Sequence, residues 1–398
     1  MALHTTHHDV VVIGARCAGS STARLLAARG YDVVVLERAT LPSDTLSTHA
    51  IARGGVVQLA RWGLLDKLLA GGAPPVRAVT FSSGGQERRV QVKDRAGVDL
   101  LLAPRRTVLD ALLAEEAVAA GAALHTGTVA TGLLRDDHGR VSGVLTRDRT
   151  GAQHVHRARL VVGADGLRSA TARWADAPTQ RYVEPRTSTW YAHVGGVGWD
   201  GFEFHVAPRA FAGVFPTHDD RACVWLSRPS PLLGTVRAAG PGRERALVDA
   251  LQEVAPTIAE RVRDGRVDGP VRGGVDLPDL VRVPHGPGWA LVGDAGYHRD
   301  PITGHGITDA FRDAELLADA AHAVLAGNLP EAEAMGAYAC ARDAALAETF
   351  RLTRALKAYP HPTRFVALQK QLSDALEREA SVLASRPAPA GLQAAPAA

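Results

Sequence analysis

Glycine and carboxylate residues follow short apolar runs at three separate places in this chain of 398 residues. At the first, the turn GARCAG (Gly14–Gly19) follows the apolar run Val10–Ile13, and Glu37 follows the next apolar run, Val33–Leu36. A glycine turn exposes backbone N–H groups, and a helix N-terminus favours a bound anion. An acid at the end of the second strand can accept hydrogen bonds from a ribose. These residues predict a dinucleotide site, without saying which dinucleotide.

Two later segments repeat the pattern of an apolar strand followed by glycine and aspartate. Asp165 and Gly166 end one such strand, and Gly293 and Asp294 end the other. After Asp294 a loop leads into a helix with apolar residues on one face, so its glycines bring N–H groups to a helix N-terminus. Three such motifs cannot each hold a separate cofactor. They predict one long cofactor that is bound at several points.

Two arginines near these motifs leave alternatives open. Arg16 stands where the dinucleotide fingerprint has its second glycine, which implies a slightly different cofactor route or a direct contact between Arg16 and a phosphate. Arg106 opens a helix, where a cation is unfavourable unless an anion lies nearby. We expect Arg106 to contact a cofactor phosphate or ribose, the alternative being a surface salt bridge.

The elements that must position these residues alternate between strands and helices, which favours an α/β fold. Val76–Leu102 alternates loosely and predicts a few antiparallel strands of a second sheet. Eight of the twenty aromatic residues fall within Thr187–Leu226, mostly with strand alternation. Such a sheet is the expected wall for a planar or apolar substrate, although its aromatics can equally form core. The substrate candidates are Trp190, Phe204, Phe215 and Trp225.

Charge and cysteine content exclude several classes of function. Lysine and arginine total 45 against 42 acidic residues, and these charges are scattered, so neither nucleic acid nor a membrane is an expected partner. Three widely spaced cysteines favour a reducing compartment, so we expect a cytoplasmic enzyme without a metal. We expect residues 1–8 to be loose and the Pro/Ala-rich tail 386–398 to be disordered.

The ordered set of GARCAG, ADG and GDA…PITGHGI closely resembles the three motifs of the flavoprotein monooxygenase superfamily. That superfamily includes hydroxylases of the p-hydroxybenzoate hydroxylase type and is related to geranylgeranyl reductases and flavin-dependent halogenases. The resemblance covers roughly residues 8–325. It implies an α/β fold in which a Rossmann-like FAD-binding domain carries an inserted mixed-sheet substrate domain and C-terminal helices. No Trp-x-Trp-x-Ile-Pro signature is present, which disfavours halogenation.

The resemblance also implies roles for individual residues. FAD would be the bound cofactor and NADPH or NADH a transient reductant. The implied FAD contacts are Gly14, Ala15, Arg16, Gly19, Glu37, Arg38, Arg106, Asp165, Gly166, Gly293, Asp294, Pro301, Gly304, Gly306 and Ile307. Next to the implied flavin edge lie three candidates for proton handling, each of which can instead be structural: His298, Asp300 and His305.

The activity implied by the resemblance is that of an FAD-dependent monooxygenase. NAD(P)H would reduce the flavin, O2 would form a flavin C4a-hydroperoxide, and one oxygen atom would enter an aromatic or polyketide-like small molecule. One alternative is an FAD-dependent reductase of C=C bonds of the geranylgeranyl reductase kind. Another is a flavin-binding protein without turnover.

The expected domain organisation follows the motifs along the chain. The FAD-binding domain is interrupted twice by the substrate domain and is followed by helices. The expected segments are 1–75 (FAD-binding, first part), 76–102 (strands of the substrate domain), 103–180 (FAD-binding, second part), 181–285 (substrate-binding), 286–330 (FAD-binding, third part), 331–385 (C-terminal helices) and 386–398 (disordered tail).

Overall fold

The computed structural model describes residues 4–274 and 277–392. The strands are β1 His4–Ile13, β2 Val33–Glu37, β3 Ala78–Ser83, β4 Gln86–Gln91, β5 Ala123–Thr126, β6 Val129–Arg135, β7 Val141–Arg147, β8 Gln153–Gly163, β9 Thr179–Val183, β10 Thr187–Gly195, β11 Phe202–Ala207, β12 Ala210–Thr217, β13 Arg221–Pro229, β14 Arg266–Gly274, β15 Asp279–Arg282, β16 His285–Gly286, β17 Trp289–Leu291 and β18 Tyr297–His298.

The helices surround two of the sheets, and short 3₁₀ turns at Ser230–Leu233, Gly240–Gly242, Gly293–Ala295 and Pro301–Thr303 lie between elements. The helices are α1 Cys17–Ala27, α2 Arg53–Arg61, α3 Leu65–Ala70, α4 Arg106–Ala119, α5 Ala170–Trp174, α6 Gly234–Ala238, α7 Arg243–Val254, α8 Pro256–Asp264, α9 Gly306–Leu325, α10 Glu331–Leu356 and α11 Pro362–Ser385.

The first sheet has the strand order β16-β17-β8-β1-β2-β5, and the strands from β17 to β5 run parallel. The second half of β1 is apolar on both faces because both faces are buried, each in a different hydrophobic core. Val10 and Val12 pack with the helices α1 and α9, whereas Val11 and Ile13 pack under the β6–β7 hairpin. The predicted β1-α1-β2 unit is confirmed, with α1 ending just before Gly30.

The N-terminus differs from expectation. Residues 1–8 were expected to be loose. Residues 1–3 lie outside the described residues, but His4–His8 extend β1 and pair with His154–Ala158 of β8. Their backbone groups therefore find partners, and the His8 ring lies 3.1 Å from a carboxylate oxygen of Asp32. A polar strand extension of this kind has no apolar alternation, so sequence patterning does not reveal it.

The second sheet has the order β14-β10-β13-β12-β11-β3-β4 and is antiparallel except for the β11–β3 pair. The expected contribution of Val76–Leu102 to a second sheet is confirmed through β3 and β4. One face packs on α7 and α8, and the other packs aromatic residues against α10 and α11. The fold is therefore α/β with mixed sheets and C-terminal helices, as expected. A small third sheet, β18-β15-β9, lies beside the late motif.

Residues 386–392 of the expected tail make contacts with the body of the protein. Arg386 is 2.9 Å from the carboxylate of Asp319, and Leu392 packs against the core around α1. The expectation for residues 393–398 lies outside the described residues. Within residues 4–274 and 277–392, none of the helices combines the length and apolar character that a membrane crossing requires.

Candidate functional site

The three motifs line one cavity of about 630 Å³ at the carboxyl end of the first sheet. They come together because β1, β8 and β17 are parallel neighbours, so the segments that follow them meet at one edge. The lining includes most of the predicted cofactor contacts, namely Gly14, Arg16, Glu37, Arg38, Arg106, Asp165, Gly166, Asp294, Pro301, Gly304, Gly306 and Ile307, together with His298, Asp300 and His305.

Ala15, Gly19 and Gly293 do not line this cavity, and the two glycines have steric roles instead. A Cβ on Gly19 would overlap the carbonyl oxygen of Gly14, and one on Gly293 would lie 2.8 Å from Cβ of Ala18. Gly14 itself has φ +105°, and a Cβ there would lie 2.5 Å from the carbonyl oxygen of Ala164. Gly14 and Gly19 accept only glycine because backbone passes so close to backbone there, whereas the obstacle at Gly293 is the side chain of Ala18.

Glu37 is buried, and its carboxylate holds the first turn in place. One oxygen accepts the Ala15 N–H at 2.9 Å, and the other accepts the Ala39 N–H at 2.8 Å. Each oxygen keeps a second lone pair beside the cavity. Glu37 therefore shapes the turn as well as facing the position predicted for a ribose.

Arg16 and Arg106 share a partner that the sequence analysis did not single out. Asp110 accepts from Arg16 Nη1 at 3.1 Å and from Arg106 Nε and Nη2 at 3.0 and 2.8 Å. Burial disfavours the Arg106 cation, but Cys17 and the hydrogen-bonded carboxylate of Asp110 keep the pKa of Arg106 above its ordinary value. Arg106 thus forms a buried ion pair at the cavity wall, not a surface salt bridge. The i,i+4 spacing of Arg106 and Asp110 was the available signal.

Asp165 lies at the cavity, but its carboxylate is directed at α5. It accepts from the hydroxyl of Ser169 at 2.6 Å and from the backbone N–H groups of Ala170 and Thr171 at 2.8 and 3.0 Å. Ser169 in turn caps α5. Asp165 therefore fixes the loop that presents Gly166, which has φ +79°.

The late motif places three side chains at the same cavity: the exposed carboxylate of Asp294, and His298 and Asp300, which are hydrogen-bonded to other parts of the protein. Asp294 is exposed to the cavity. His298 donates from Nδ1 to the carbonyl of Pro278 at 2.7 Å. Asp300 is fully buried and accepts from the Thr187 hydroxyl and, at 3.0 Å, from the Ile302 N–H. Burial raises the pKa of Asp300, and its hydrogen bonds make it a cap of the 301–303 turn.

Several buried polar atoms around this loop have no protein partner among the described residues. They are Nε and Nη1 of Arg299, Oγ1 of Thr303 and Nδ1 of His305, and all three residues line the cavity. Buried polar groups in folded proteins are nearly always satisfied, so a cluster of unsatisfied ones indicates a ligand.

A second cavity of about 550 Å³ lies against the aromatic face of the second sheet. Two pairs of its rings pack edge to face, with centroids 4.9 Å apart for Phe211 and Trp225 and 5.6 Å apart for Phe204 and Phe215. The two cavities share Thr48, Ala50, Thr189, Pro301, Thr303 and Gly304 in their linings. The aromatic cavity therefore borders the first cavity at the 301–304 loop.

Of the four substrate candidates, Phe204, Phe215 and Trp225 line this second cavity and Trp190 does not. Trp190 lies on the opposite face of the sheet, where it packs in the α7–α8 core and under the guanidinium of Arg243. Its placement as a substrate contact is corrected because strand alternation sends Trp190 and its neighbour Tyr191 to opposite faces.

Comparison with known proteins identifies the ligand class. The family described as FAD binding domain matches residues 7–350. The chain belongs to this FAD-binding family. Together with its relatives, this makes it an FAD-dependent oxidoreductase that acts on small molecules.

Relatives of several activities share this architecture. The chain is 31% identical over 334 residues to the digeranylgeranylglycerophospholipid reductase of Methanosarcina mazei, covering 81% of this chain and 77% of that protein. The flavin-dependent brominase Bmp2 has a TM-score of 0.81 at 21% identity, covering 98% and 96% of the two chains. PqsL of Pseudomonas aeruginosa, named "a probable FAD-dependent monooxygenase", has a TM-score of 0.77 at 23% identity, covering 92% and 100%. The resemblance found in the sequence is confirmed.

The residues of the first cavity fit FAD. Gly14 provides a surface that a side chain would block, and Arg16 and Arg106 place positive charge beside it. The unsatisfied donors of Arg299, Thr303 and His305 suit the carbonyl and ring-nitrogen acceptors of an isoalloxazine. FAD would therefore be held between the Gly14 turn and the 301–306 loop.

Proposed function

We propose that this oxidoreductase reduces a carbon–carbon double bond of an elongated apolar substrate. The observation that carries the proposal is the contact between the aromatic cavity and the FAD cavity at the 301–304 loop. The similarity to a digeranylgeranylglycerophospholipid reductase supports the choice of reaction, since that relative is matched over most of its length. FAD, when bound, would pass a hydride from NADPH or NADH to the substrate.

The chain's own residues would bind the substrate and exclude water. Four aromatic rings line the second cavity, those of Phe204, Phe211, Phe215 and Trp225. Burial of apolar surface between these rings and an unsaturated chain favours binding by about 25 cal/mol for each Å² removed from water. A dry wall also keeps water from the reacting carbon atoms. Residues 304–306 lie at the N-terminus of α9, a helix of 20 residues, which favours negative charge nearby.

The rim of the aromatic cavity carries positive charge that suits an acidic headgroup. Arg88 and Lys93 line this cavity and are exposed, and neither has an ion-pair partner within the described part of the chain. Arg53 and Arg95, by contrast, already face Glu377. A substrate with an apolar chain and a phosphate or carboxylate would thus be held at both ends.

The monooxygenase activity expected from the sequence is the second candidate. The observation in its favour is that the cavity's aromatic rings can pack on an aromatic substrate as well as on an unsaturated chain. O2 would then be a co-substrate. The two candidates differ in what reoxidises the reduced flavin.

Anaerobic stopped-flow measurement separates them. The holoenzyme is reduced with NADPH or NADH and then mixed without oxygen with geranylgeranyl phospholipids or with a panel of phenols and anthranilates. The proposal predicts flavin reoxidation by the unsaturated lipid alone. Reduced flavin that is stable to every double bond, but is reoxidised by O2 faster when an aromatic is bound, would contradict it and support the monooxygenase.

A further inference from the structure

The aromatic cavity crosses almost the whole width of the second sheet. Its lining takes side chains from the consecutive neighbours β10, β13, β12, β11, β3 and β4. Thr189 of β10 lies at one side of the cavity and Arg88 of β4 at the other. Neighbouring strands are about 4.8 Å apart, so the spacings from β10 to β4 separate these two residues by about 24 Å across the sheet. The cavity is therefore long in one direction.

The two ends of this cavity differ in charge. At the β4 end, Arg88 and Lys93 are exposed and have no ion-pair partner in the described part of the chain. At the β10 end, the residues that also line the FAD cavity are all uncharged, namely Thr48, Ala50, Thr189, Pro301, Thr303 and Gly304. The free positive charge therefore lies at the end away from FAD.

Other groups near the β4 end do not cancel this charge. Asp374 and Glu377 line the cavity as well, but each already has an ion-pair partner, at 3.1 and 2.9 Å. Phe81, the register partner of Arg88, is 43% exposed and stacks on Phe204 with ring centroids 5.4 Å apart. The β4 end thus offers an aromatic ring beside a cation, which suits an apolar chain that begins with an anion.

The cavity is also narrow. Its volume of about 550 Å³, spread over a length of about 24 Å, gives a mean cross-section of about 23 Å². Carbon atoms in contact lie about 4 Å apart, so one hydrocarbon chain needs roughly 16 Å² and two chains side by side need roughly twice that. The cavity therefore fits one chain and not two.

We propose that this cavity binds one unsaturated chain lengthwise, with its acidic headgroup at Arg88 and Lys93 and its far end at the FAD cavity. The inference rests on the proposed function. The opposite orientation would place the anion among uncharged residues, and burial of a charge without a partner is unfavourable. The double bond farthest from the headgroup is then the one that meets the flavin.

This orientation sets the order of reduction. One carbon of the far double bond receives a hydride, with both electrons, from the reduced flavin, and the other carbon receives a proton from water. NADPH or NADH supplies the hydride that restores the reduced flavin. A double bond nearer the headgroup can reach the flavin only if the headgroup leaves Arg88 and Lys93, so it should react later.

The length of the cavity also selects the length of the chain. With C–C bonds of about 1.5 Å in a zigzag, an extended geranylgeranyl chain measures about 19 Å, and the Arg88 side chain and the phosphate span the remaining distance to about 24 Å. A farnesyl chain is about 5 Å shorter and a geranyl chain about 10 Å shorter. With the headgroup at Arg88, the far double bonds of these shorter chains stop short of the FAD cavity.

The first test locates the first saturated bond. Holoenzyme reduced with NADPH is mixed anaerobically with geranylgeranyl monophosphate for a single turnover, and tandem mass spectrometry locates the added hydrogen atoms. We expect the last isoprene unit to be saturated in about tenfold excess over the unit next to the phosphate. Equal saturation of all units, or a preference for the unit next to the phosphate, would overturn the orientation.

The second test varies the length of the chain. Anaerobic flavin reoxidation is measured with saturating geranylgeranyl, farnesyl and geranyl monophosphates. The rate should fall by about tenfold for each isoprene unit removed, because the shorter chains place their double bonds farther from the flavin. Equal rates for the three chains would contradict an anchored headgroup.

The third test measures binding without turnover. In equilibrium dialysis with oxidised holoenzyme, the double variant Arg88→Gln/Lys93→Gln should bind geranylgeranyl monophosphate at least about tenfold more weakly and geranylgeraniol as tightly as wild type does. The matched control is Arg89→Gln, because Arg89 is the next residue of β4, pairs with Asp200 at 2.7 Å and lies outside both cavity linings. Unchanged affinity of the double variant for the phosphate would overturn the headgroup position.

The outcomes separate this inference from the proposed function. A wild-type enzyme that no double bond reoxidises would overturn the proposed reduction. Reoxidation by the lipid with saturation beginning beside the phosphate would leave the reduction intact and overturn the orientation alone.

Discussion

The two ends of the FAD cavity are built on different principles. At the Glu37 end, the carboxylates of Glu37 and Asp165 accept hydrogen bonds from the chain itself, and Asp110 accepts hydrogen bonds from both Arg16 and Arg106. At the His305 end, defined by residues 294–307, buried donors and acceptors of Arg299, Thr303 and His305 have no partner in the described structure. One end is complete without a ligand, and the other is not.

This difference predicts that one end of the cavity mainly binds FAD and that the other end mainly affects the reactivity of what is bound. The Glu37 end, whose polar groups are hydrogen-bonded within the protein, presents a fixed surface to the cofactor. Substitutions there should therefore change stability and FAD affinity. An end with unsatisfied groups can respond to the charge of what is bound, so substitutions there should change reactivity while leaving the fold intact. Substitutions at each end test this difference.

The largest effect is expected from Gly14→Ala at the Glu37 end. The new Cβ would meet the Ala164 carbonyl oxygen at 2.5 Å in a backbone with φ +105°. Strain and overpacking together should cost about 2–5 kcal/mol of unfolding free energy, and the purified protein should be colourless. Thermal unfolding and flavin absorbance measure both effects.

Gly30→Ala is the control for Gly14→Ala. Gly30 also has positive φ, +87°, but a Cβ there meets nothing within 4 Å. Gly30→Ala should lower the free energy of unfolding by only about 1 kcal/mol and leave the purified protein yellow with bound flavin. Equal behaviour of the two variants would refute a steric role for Gly14.

Glu37→Ala should have the next largest effect. It leaves the N–H groups of Ala15 and Ala39 without their acceptor, which costs roughly 1–3 kcal/mol for each group that stays buried. FAD affinity, measured by flavin fluorescence titration, should fall together with the unfolding temperature. Glu37→Gln keeps one acceptor oxygen and should lie between wild type and Glu37→Ala. Full FAD occupancy of Glu37→Ala would contradict the account of this end.

Asp294→Ala sharpens the contrast, because this carboxylate is exposed to the cavity and makes no hydrogen bond within the described chain. The apoprotein should unfold within about 0.5 kcal/mol of wild type, whereas FAD affinity should fall. Isothermal titration of apoprotein with FAD, beside chemical unfolding, tests this. A loss of apoprotein stability as large as that of Glu37→Ala would show that the two ends do not differ.

Stability should also depend on pH through two buried histidines, one of which, His49, lines the FAD cavity. His49 and His193 lie with Nε2 atoms 2.8 Å apart, and burial followed by the charge of Arg105 lowers the pKa of His193 to about 4. The unfolded chain binds this proton near pH 6.5, so stability is full above pH 6.5 and is lost as pH falls toward 4. The loss should be about 2–3 kcal/mol, and His193→Phe should flatten it in urea unfolding measured from pH 7 to 4. An equal slope in both proteins would contradict this.

The sequence predicted the Glu37 end best, because its residues follow parallel strands whose carboxyl ends must meet. It located Gly14, Asp165 and Asp294 but could not tell that Asp165 is turned toward α5. Glu379, whose carboxylate lies 2.6 Å from Nε2 of His305, was not found, because a single glutamate in an amphipathic helix carries no signal until the tertiary packing places it against a partner. Trp190 was included among the substrate candidates because an aromatic strand buried on both sides has no polar alternation to show which residues face a cavity.

If the proposed reduction is right, the substrate gains hydrogen and not oxygen. The direct measurement is the mass of the product formed from a geranylgeranyl lipid by holoenzyme, NADPH and, in a parallel reaction, ¹⁸O2. We predict a product that has gained two hydrogen atoms, at equal yield with and without oxygen. A product that contains ¹⁸O, or turnover that stops when oxygen is removed, would contradict the claim.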